Sequence, residues 1–385
     1  MQTPPTPSHP ISEQILAAAA DRRQLRVRGG GSKDFYGEPL QGTVLDTRGL
    51  SGITSYEPSE LVVTVQAGTP LAELEAGLAE KGQCLAFEPP RLGPASTVGG
   101  MVAAGLAGPA RATAGSVRDF VLGARFINGK GELLTFGGQV MKNVAGYDVS
   151  RLLVGSLGTL GVITEVSLKV LPTAPAEATL MCAGLSQAKA LALLHRWGGQ
   201  PLPLNASCWV WDASASPAQD YLFVRLRGAV AAVQAAVPRM SADLQAQGGQ
   251  VIVMDNAQAA LDWTACRDQT LPFFTPPSPT QCLWRLSVPQ TAPVLDLPYA
   301  QFIEWQGGLR WLWAPASAAL DLRAAAQAVG GHATLFSTSQ AYGEADKTVG
   351  VFTPMPAVQQ QLQTALQKQF DPAGVFNTGR LFATH

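Results

Sequence analysis

Apolar and polar residues alternate, or recur every three to four positions, in short segments over the first 172 residues of the chain. Alternation is typical of strands, and recurrence every three to four positions is typical of amphipathic helices. This half of the chain is therefore predicted to contain both strands and helices. The predicted elements are helices at residues 11–20 and 148–154, and strands entering residue 28 and spanning 43–46, 61–66, 120–127, 132–136 and 162–171.

A further helix is predicted to begin at residue 70. Thr69 is placed at the N-cap, Pro70 at the first helical position, and Gly82 ends the helix. The apolar face of this helix is formed by Leu71, Leu74 and Leu78.

The second half of the chain begins after residues 172–175, where two prolines interrupt the pattern. Strands are predicted at residues 178–183, 207–211, 221–227 and 251–255, with a helix at 187–197 and an alanine-rich helix before the last strand. This β-α-β-β-α-β order is typical of a ferredoxin-like unit. A proline-rich loop at 272–279 separates the unit from further strands and a helix near 316–329, and no tandem repeat is evident.

The chain is therefore predicted to be an α+β protein with two domains, as its length of 385 residues also suggests. The predicted division is a disordered tail at residues 1–10, a first domain at 11–172, an α+β cap domain at 176–369, and a C-terminal tail at 370–385 that packs back on the first domain.

Composition narrows the classes of function. The net charge of −1, without a run of Lys or Arg, argues against nucleic-acid binding. The apolar stretches are too short for a transmembrane segment, and the N-terminal residues lack the features of a secretion signal. The five cysteines stand singly and two of the four histidines lie in the tails. We therefore expect a reducing, cytoplasmic location and no iron–sulfur or other metal site in this chain.

Three glycine-rich segments, at residues 28–32, 96–105 and 155–163, carry the candidate chemistry. Consecutive glycines let backbone amides converge on an anion such as a pyrophosphate. Thr97 can cap a helix beside such a site. Each segment alone is equally compatible with a tight turn or with close packing of a helix on a sheet.

The order of these segments resembles the FAD-binding domain of the vanillyl-alcohol oxidase and p-cresol methylhydroxylase type of flavoprotein. Residues 140–172 are similar to the branch that contains D-lactate and glycolate dehydrogenases. Segments 87–90, 115–123 and 370–380 extend the likeness over nearly the whole chain, which resembles the FAD-binding E subunits of bacterial glycolate oxidase. The resemblance implies a two-part FAD-binding domain at residues 11–172.

The resemblance also implies a set of residues that bind the cofactor. Residues 27–33 would hold the FAD pyrophosphate, 91–97 and 104–107 would line the flavin and ribityl groups, and 157–163 would contact the cofactor through the backbone. Asn377 and Arg380 would approach the flavin from the tail. The implied residues are Val27, Arg28, Gly29, Gly30, Gly31, Ser32, Lys33, Arg91, Leu92, Gly93, Pro94, Ala95, Ser96, Thr97, Gly99, Gly100, Ala104, Gly105, Leu106, Ala107, Leu157, Gly158, Thr159, Leu160, Gly161, Val162, Ile163, Asn377 and Arg380.

The chain departs from the family pattern in its histidines. Relatives with a covalent flavin carry a histidine after the first glycine loop, where this chain has Ser32 and Lys33, so we expect a non-covalent FAD. Dehydrogenating relatives carry several histidines near the substrate, whereas residues 330–336 here contain His332 alone. His332 is a candidate catalytic base or, alternatively, a structural histidine at the start of a strand, and no metal ligands accompany it.

Five further residues have candidate roles. Arg111 and Arg118 can bind a carboxylate or phosphate, or can form structural ion pairs such as one between Arg118 and Asp119. The family analogy places Lys142 near the reduced flavin. Tyr147 and Asp148 can reach the flavin, or Asp148 can cap a helix.

Three functions follow from the resemblance. The first is an FAD-carrying subunit of a multi-subunit glycolate (2-hydroxyacid) oxidase, with a paralogous flavin subunit that oxidises the small 2-hydroxyacid and an iron–sulfur subunit that passes electrons on. Such a complex would be cytoplasmic or held peripherally on the inner membrane. The second is a self-sufficient D-2-hydroxyacid dehydrogenase with His332 as base. The third is a non-catalytic assembly scaffold.

Overall fold

The computed structural model describes residues 9–138, 148–212 and 218–381. Most predicted elements of the first half are present within two or three residues of their expected bounds. In chain order the elements are α1 (Pro10–Ala20), β1 (Leu25–Arg28), β2 (Thr43–Asp46), β3 (Ile53–Glu57), β4 (Val62–Gln66), α2 (Leu71–Ala79), β5 (Gln83–Cys84), α3 (Val98–Ala104), α4 (Arg111–Ala114), α5 (Val117–Phe120), β6 (Val121–Ile127), β7 (Leu133–Gly137), α6 (Val149–Leu152), β8 (Val162–Lys169) and β9 (Leu171–Pro172).

The strands of the first half form one larger sheet and two small ones. The five-stranded sheet has the order β3-β4-β8-β6-β7 and is antiparallel throughout. β1 pairs in parallel with β2, and Leu25 of β1 also bridges to Phe376 near the C-terminus. The helices α2 and α3 bury their apolar residues against the larger sheet. The C-terminal segment therefore returns to the first half of the chain, as predicted.

One predicted helix start was wrong. Thr69 does not cap α2, because the helix begins at Leu71 with Pro70 in the N-cap position and no side-chain cap. The Thr69 hydroxyl accepts a hydrogen bond from the Gly52 amide at 2.9 Å, and its carbonyl accepts one from Val98 at 3.0 Å. Thr69 thus joins two neighbouring loops, and these tertiary bonds outweigh its local capping preference.

The second half contains the predicted β-α-β-β-α-β unit and a second group of strands. Its elements are β10 (Ala176–Ala183), α7 (Gln187–Gly198), β11 (Leu204–Asp212), β12 (Gln219–Gly228), α8 (Val230–Ala246), β13 (Gln250–Val253), α9 (Asn256–Arg267), β14 (Cys282–Ser287), β15 (Gln301–Glu304), β16 (Leu309–Ala314), α10 (Ala319–Ala328), β17 (His332–Ser337) and α11 (Ala357–Phe370).

All eight strands β10–β17 join one antiparallel sheet with the order β13-β10-β12-β11-β15-β16-β14-β17. The sheet consists of two groups of four strands, β10–β13 and β14–β17. When the strands of each group are numbered 1 to 4 in chain order, their order across the sheet is 4-1-3-2 in the first group and 2-3-1-4 in the second. The first is the ferredoxin-like order, which confirms that prediction. The second repeats it in reverse, and the two groups meet at β11 and β15. The cap is therefore a topological repeat, which the sequence did not reveal because no helix lies between β14 and β15.

The two faces of this sheet have different neighbours. Helices α7, α8 and α10 cover one face and form its apolar core. The other face meets the first half of the chain, where the buried carboxylate of Glu88 accepts hydrogen bonds from Arg225 at 2.7 Å. The indole of Trp305 donates to the Gly108 carbonyl at 2.9 Å across the same junction. Candidate site residues of both halves face each other here.

Among the helices that the structure describes, none combines the length and the apolar character that crossing a membrane requires.

Candidate functional site

The three glycine-rich segments and the C-terminal tail meet in one cavity of about 100 Å³, which we name the glycine cleft. The first segment follows β1, the second surrounds the start of α3, and the third precedes β8. The residues that line the cleft are Val27, Arg28, Gly29, Gly30, Gly31, Ser32, Lys33, Asp34, Leu40, Thr47, Ala67, Thr97, Gly99, Gly100, Ala103, Ala104, Leu157, Gly158, Gly161, Ile163, Asn377 and Arg380.

The glycine cleft depends on the absence of side chains at its closest approaches. A Cβ atom on Gly30 would overlap the carbonyl oxygen of Ala95, and one on Gly29 would overlap the Thr97 hydroxyl. Among the described residues, no acceptor pairs with the amides of residues 29–33. A loop of unpaired amides that no side chain shields fits an anionic group such as a pyrophosphate.

Charged and polar side chains surround the same loop. The Lys33 ammonium donates to the Ser96 hydroxyl at 2.9 Å and to the Arg91 carbonyl at 3.2 Å. Burial lowers the pKa of Lys33 to about 8, while the charge of Asp268 opposes that shift. Arg28 is paired with Asp34 at 2.6 Å. Lys33 therefore lines the cleft as a residue whose side chain is charged at neutral pH and loses its charge in mild alkali.

The C-terminal tail connects the first and third glycine segments. The Asn377 side chain accepts a hydrogen bond from the Val27 amide at 2.9 Å and donates one to the Leu157 carbonyl at 2.5 Å. Arg380 is buried and donates to the carbonyls of Asp34 at 2.7 Å and Glu38 at 2.5 Å. These contacts give both tail residues a role in positioning the loops as well as in lining the cleft.

Several implied cofactor residues lie outside the glycine cleft. Arg91 is turned away, because its guanidinium pairs with Glu75 and its amide donates to Asp268 at 2.9 Å. The other implied residues that do not line the cleft are Leu92, Gly93, Pro94, Ala95, Ser96, Gly105, Leu106, Ala107, Thr159, Leu160 and Val162. Asp34, Leu40, Thr47, Ala67 and Ala103 line it without having been predicted.

Leu106 and Ala107 instead line a second, smaller cavity of about 20 Å³ between the first half of the chain and the cap sheet. Its opposite wall is formed by cap residues, among them Arg285, Trp311 and Phe336. Sequence reasoning missed this wall, because nothing in the spacing of these residues indicates that they share one face of the sheet.

Tyr36 belongs to an apolar cluster that also contains Ala104 of the glycine cleft and Leu106 of the smaller cavity. Its ring centroid is 5.3 Å from that of Phe336, and the side chain is buried. Burial raises the pKa of Tyr36, while the charges of Arg285 and Arg380 oppose the rise. Arg380 lines the glycine cleft and Arg285 lines the smaller cavity, so charges of both sites act on the Tyr36 phenol.

His332 begins β17, which confirms the expected strand start. Its pKa is lowered by burial and by the charges of Arg285 and Arg111, so the imidazole is neutral at physiological pH. His332 lies opposite Ser287 in the sheet, and two residues further along β17 Thr334 lies opposite Arg285. No group of three or more metal-ligating side chains occurs within residues 9–138, 148–212 and 218–381.

The remaining candidates are placed as follows. Asp119 does not pair with Arg118, because its carboxylate accepts hydrogen bonds from the amide and hydroxyl of Ser116 at 2.7 and 3.0 Å. Asp148 occupies the N-cap position of α6 without a side-chain bond to the helix backbone. Lys142 and Tyr147 lie outside the described residues.

Comparison with known proteins supports the cofactor interpretation. Residues 5–137 match the sequence profile of a family described as "FAD binding domain". Solved structures of alkyldihydroxyacetonephosphate synthase share the fold, with a TM-score of 0.68 and 14% identity over 95% of this chain and 74% of that one. The family match and the glycine cleft together identify a protein with an FAD-binding domain.

The family within that class follows from the sequence. The glycolate oxidase subunit GlcE of Escherichia coli is 44% identical over 98% of this chain and 97% of its own length. The chain belongs to the family of that subunit. The glycolate oxidase subunit GlcD of Bacillus subtilis is 31% identical over a shorter region, 44% of this chain and 37% of its own length.

Proposed function

We propose that the chain is an FAD-carrying subunit of a glycolate (2-hydroxyacid) oxidase complex, with its flavin bound non-covalently in the glycine cleft. The convergence of three glycine segments and the tail on one cleft carries this proposal. The 44% identity to a subunit of that name supports the assignment to the complex. When bound, FAD would accept electrons from a 2-hydroxyacid or from another redox group and pass them on.

Different residues of the cleft would hold different parts of the cofactor. The unpaired amides of residues 29–33 would receive the pyrophosphate, and Lys33 would supply a positive charge beside it. Asn377 and Arg380 would fix the loops through their backbone contacts. The flavin ring would lie toward Tyr36 and Leu106, where the first half of the chain meets the cap.

The partners of the complex are a paralogous flavin subunit and an iron–sulfur subunit, and the small 2-hydroxyacid substrate would be oxidised mainly in the former. A relative of this chain is itself named as glycolate oxidase subunit GlcD, which supports a paralogous pair. The described residues contain no cluster of cysteines that could hold an iron–sulfur group, so that cofactor would belong to another subunit. We place the complex in the cytoplasm or peripherally on the inner membrane.

Co-purification of the tagged chain tests the proposal. We expect flavin absorbance in the purified chain and recovery of a second flavin subunit and an iron–sulfur subunit in stoichiometric amounts. A chain that takes up FAD but captures neither subunit would support the self-sufficient enzyme instead. A chain that captures both but never binds FAD would be a scaffold.

A further inference from the structure

The cap contains a further cavity of about 760 Å³, which we name the aromatic cavity. It lies on the sheet face against which α9 packs, where the two groups of four strands meet at β11 and β15. Its larger lining side chains are mostly aromatic, among them Trp263 of α9, Phe223 of β12, Phe302 of β15 and Trp313 of β16. Ligand pockets in proteins usually enclose about 300–1,000 Å³. The aromatic cavity is therefore large enough for a compound of two rings.

The aromatic cavity is distinct from the glycine cleft. Of the residues that the structure describes, none lines both, and Cys266 alone lines the aromatic cavity together with the smaller cavity beside Leu106. The Cys266 thiol donates a hydrogen bond to Glu304 at 3.4 Å, so its side chain is part of the wall between those two spaces. The proposed binding of FAD in the glycine cleft therefore does not account for the aromatic cavity.

The charged side chains of the aromatic cavity disfavour an anionic ligand. Asp212 and Asp262 line it, whereas no lysine, arginine or histidine lines it within the part of the chain that the structure describes. A carboxylate or phosphate ligand would meet negative charge and find no cation to bind it. Burying any charged group among apolar rings is costly as well. The lining therefore favours an uncharged ligand, in contrast to the anionic 2-hydroxyacids.

One buried polar atom of this lining has no hydrogen-bond partner. The side-chain oxygen of Gln281, the residue before β14, is buried, and no group of the described residues donates to it. Two indoles of the lining do have acceptors. Trp263 donates to the Thr179 hydroxyl at 3.0 Å. Trp313 donates to the Phe273 carbonyl at 2.7 Å. Because a buried acceptor without a donor is costly, a hydroxyl group of a ligand would stabilise Gln281.

We propose that the aromatic cavity binds an uncharged aromatic compound that carries a hydroxyl group. The rings of the ligand would pack against the aromatic lining, and such ring pairs contribute more than the burial of their area alone. The ligand hydroxyl would donate a hydrogen bond to Gln281. The chain would then bind two chemically different ligands, FAD in the glycine cleft and a neutral aromatic compound in the cap. The binding of this compound does not require FAD.

Isothermal titration of the purified full-length chain at pH 7 tests this inference. The probes are 2-naphthol, 2-methoxynaphthalene and 2-naphthoate, which share one ring system and differ in their polar group. We expect 2-naphthol to bind at one site per chain. The ether lacks the donor and should bind about fivefold to tenfold more weakly. The anionic 2-naphthoate should bind at least about tenfold more weakly, because it would meet the two carboxylates.

Two variants locate the site. Gln281→Leu removes the acceptor, so it should weaken 2-naphthol binding by about fivefold to tenfold and change the affinity for the ether by less than about twofold. Phe223→Leu removes one lining ring and should weaken both by about threefold or more. The exposed Gln360→Leu is the control for the first variant. Phe136→Leu, at a half-buried strand ring stacked on one other ring as Phe223 is, is the control for the second.

Two results would overturn the inference: no binding of 2-naphthol to the wild-type chain, or equal 2-naphthol affinity in the wild type and both cavity variants. Binding of 2-naphthoate as tight as that of 2-naphthol would overturn the choice of an uncharged ligand. Equal losses for 2-naphthol and its ether in Gln281→Leu would overturn the role of the hydroxyl group. If Phe223→Leu does not fold, Gln281→Leu, at a half-buried residue outside the strands, tests the same site. Flavin absorbance of the same preparations tests the proposed function separately.

Discussion

The glycine cleft and the smaller cavity beside Leu106 are built in different ways. The cleft is made from backbone, and its essential positions are those where a side chain would collide, as at Gly30. The smaller cavity is lined on its cap side by side chains such as those of Arg285, Trp311 and Phe336, which come from three different strands. A backbone site tolerates no added atom, whereas a side-chain site is adjusted by single charges. A substitution in the backbone of the cleft should therefore weaken ligand binding more than a substitution of one charged side chain.

The largest effect is expected at Gly30. In Gly30→Ala the new methyl group would overlap the Ala95 carbonyl, so the loop must move and the cleft must lose its shape. We expect FAD affinity to fall by at least about 100-fold, or ~3 kcal/mol. Gly49→Ala is the matched control, because a Cβ there meets nothing within 4 Å. Flavin retained per chain after gel filtration measures both, and equal retention would show that the cleft is not the FAD site.

The next effect concerns the ion pairs that join the first half of the chain to the cap sheet. Glu88→Gln keeps the shape of the side chain but removes the charge that faces Arg225 and Arg227. We expect a loss of about 3 kcal/mol in the free energy of unfolding, because two cations lose their buried partner. Asp21→Asn breaks the exposed pair with Arg23 and should cost under about 1 kcal/mol. Urea denaturation distinguishes them, and similar losses in both would contradict a structural role for the junction.

Removing a charged side chain of the glycine cleft should weaken FAD binding less than a change in its backbone does. Lys33→Gln should weaken FAD binding by about tenfold, since one cation beside the anionic cofactor is lost. Because the pKa of Lys33 is lowered to about 8, its ammonium loses its charge as the pH rises through that value. Wild-type FAD affinity should therefore decline between pH 7 and 9, and the variant should show a flatter profile. An identical pH profile would exclude Lys33. The exposed Lys130→Gln serves as control.

The smallest effect is expected in the C-terminal tail. Asn377 has a φ of 35°, so Asn377→Gly keeps this backbone conformation while removing the bonds to Val27 and Leu157. We expect FAD affinity to fall by about threefold to tenfold, because the two glycine segments are no longer connected. Thr378→Gly, which adds the same flexibility one residue later, is the control. If both variants bind FAD equally, the tail does not position the loops.

The difference between the two regions also determined what could be predicted from the sequence. The glycine segments are local, so each could be located from a few consecutive residues, and the resemblance supplied their common purpose. Arg285, Trp305 and Trp311 come together only through the register of the cap sheet and a neighbouring turn. Alternation along β14 indicates which residues share a face, but it does not indicate which face meets the first half of the chain.

The topological repeat of the cap was hidden for a related reason. The ferredoxin-like order of β10–β13 followed from its helices and strands in sequence. The second group has the same strand order without its first helix, and strand order is a property of pairing between distant segments. The wrong cap at Thr69 has the same origin, since its hydroxyl is used by Gly52 in another loop. Local sequence patterns predicted the helices and strands well. They failed where a residue distant in sequence used a group that the local pattern assigned to its own helix.

The glycine cleft should bind FAD without a covalent bond. The most direct measurement is the flavin content of the purified wild-type chain before and after acid precipitation. We expect about one FAD per chain, all of it released into the supernatant. A chain that contains no flavin and takes up none from solution would contradict the claim, as would a flavin that stays with the precipitated protein.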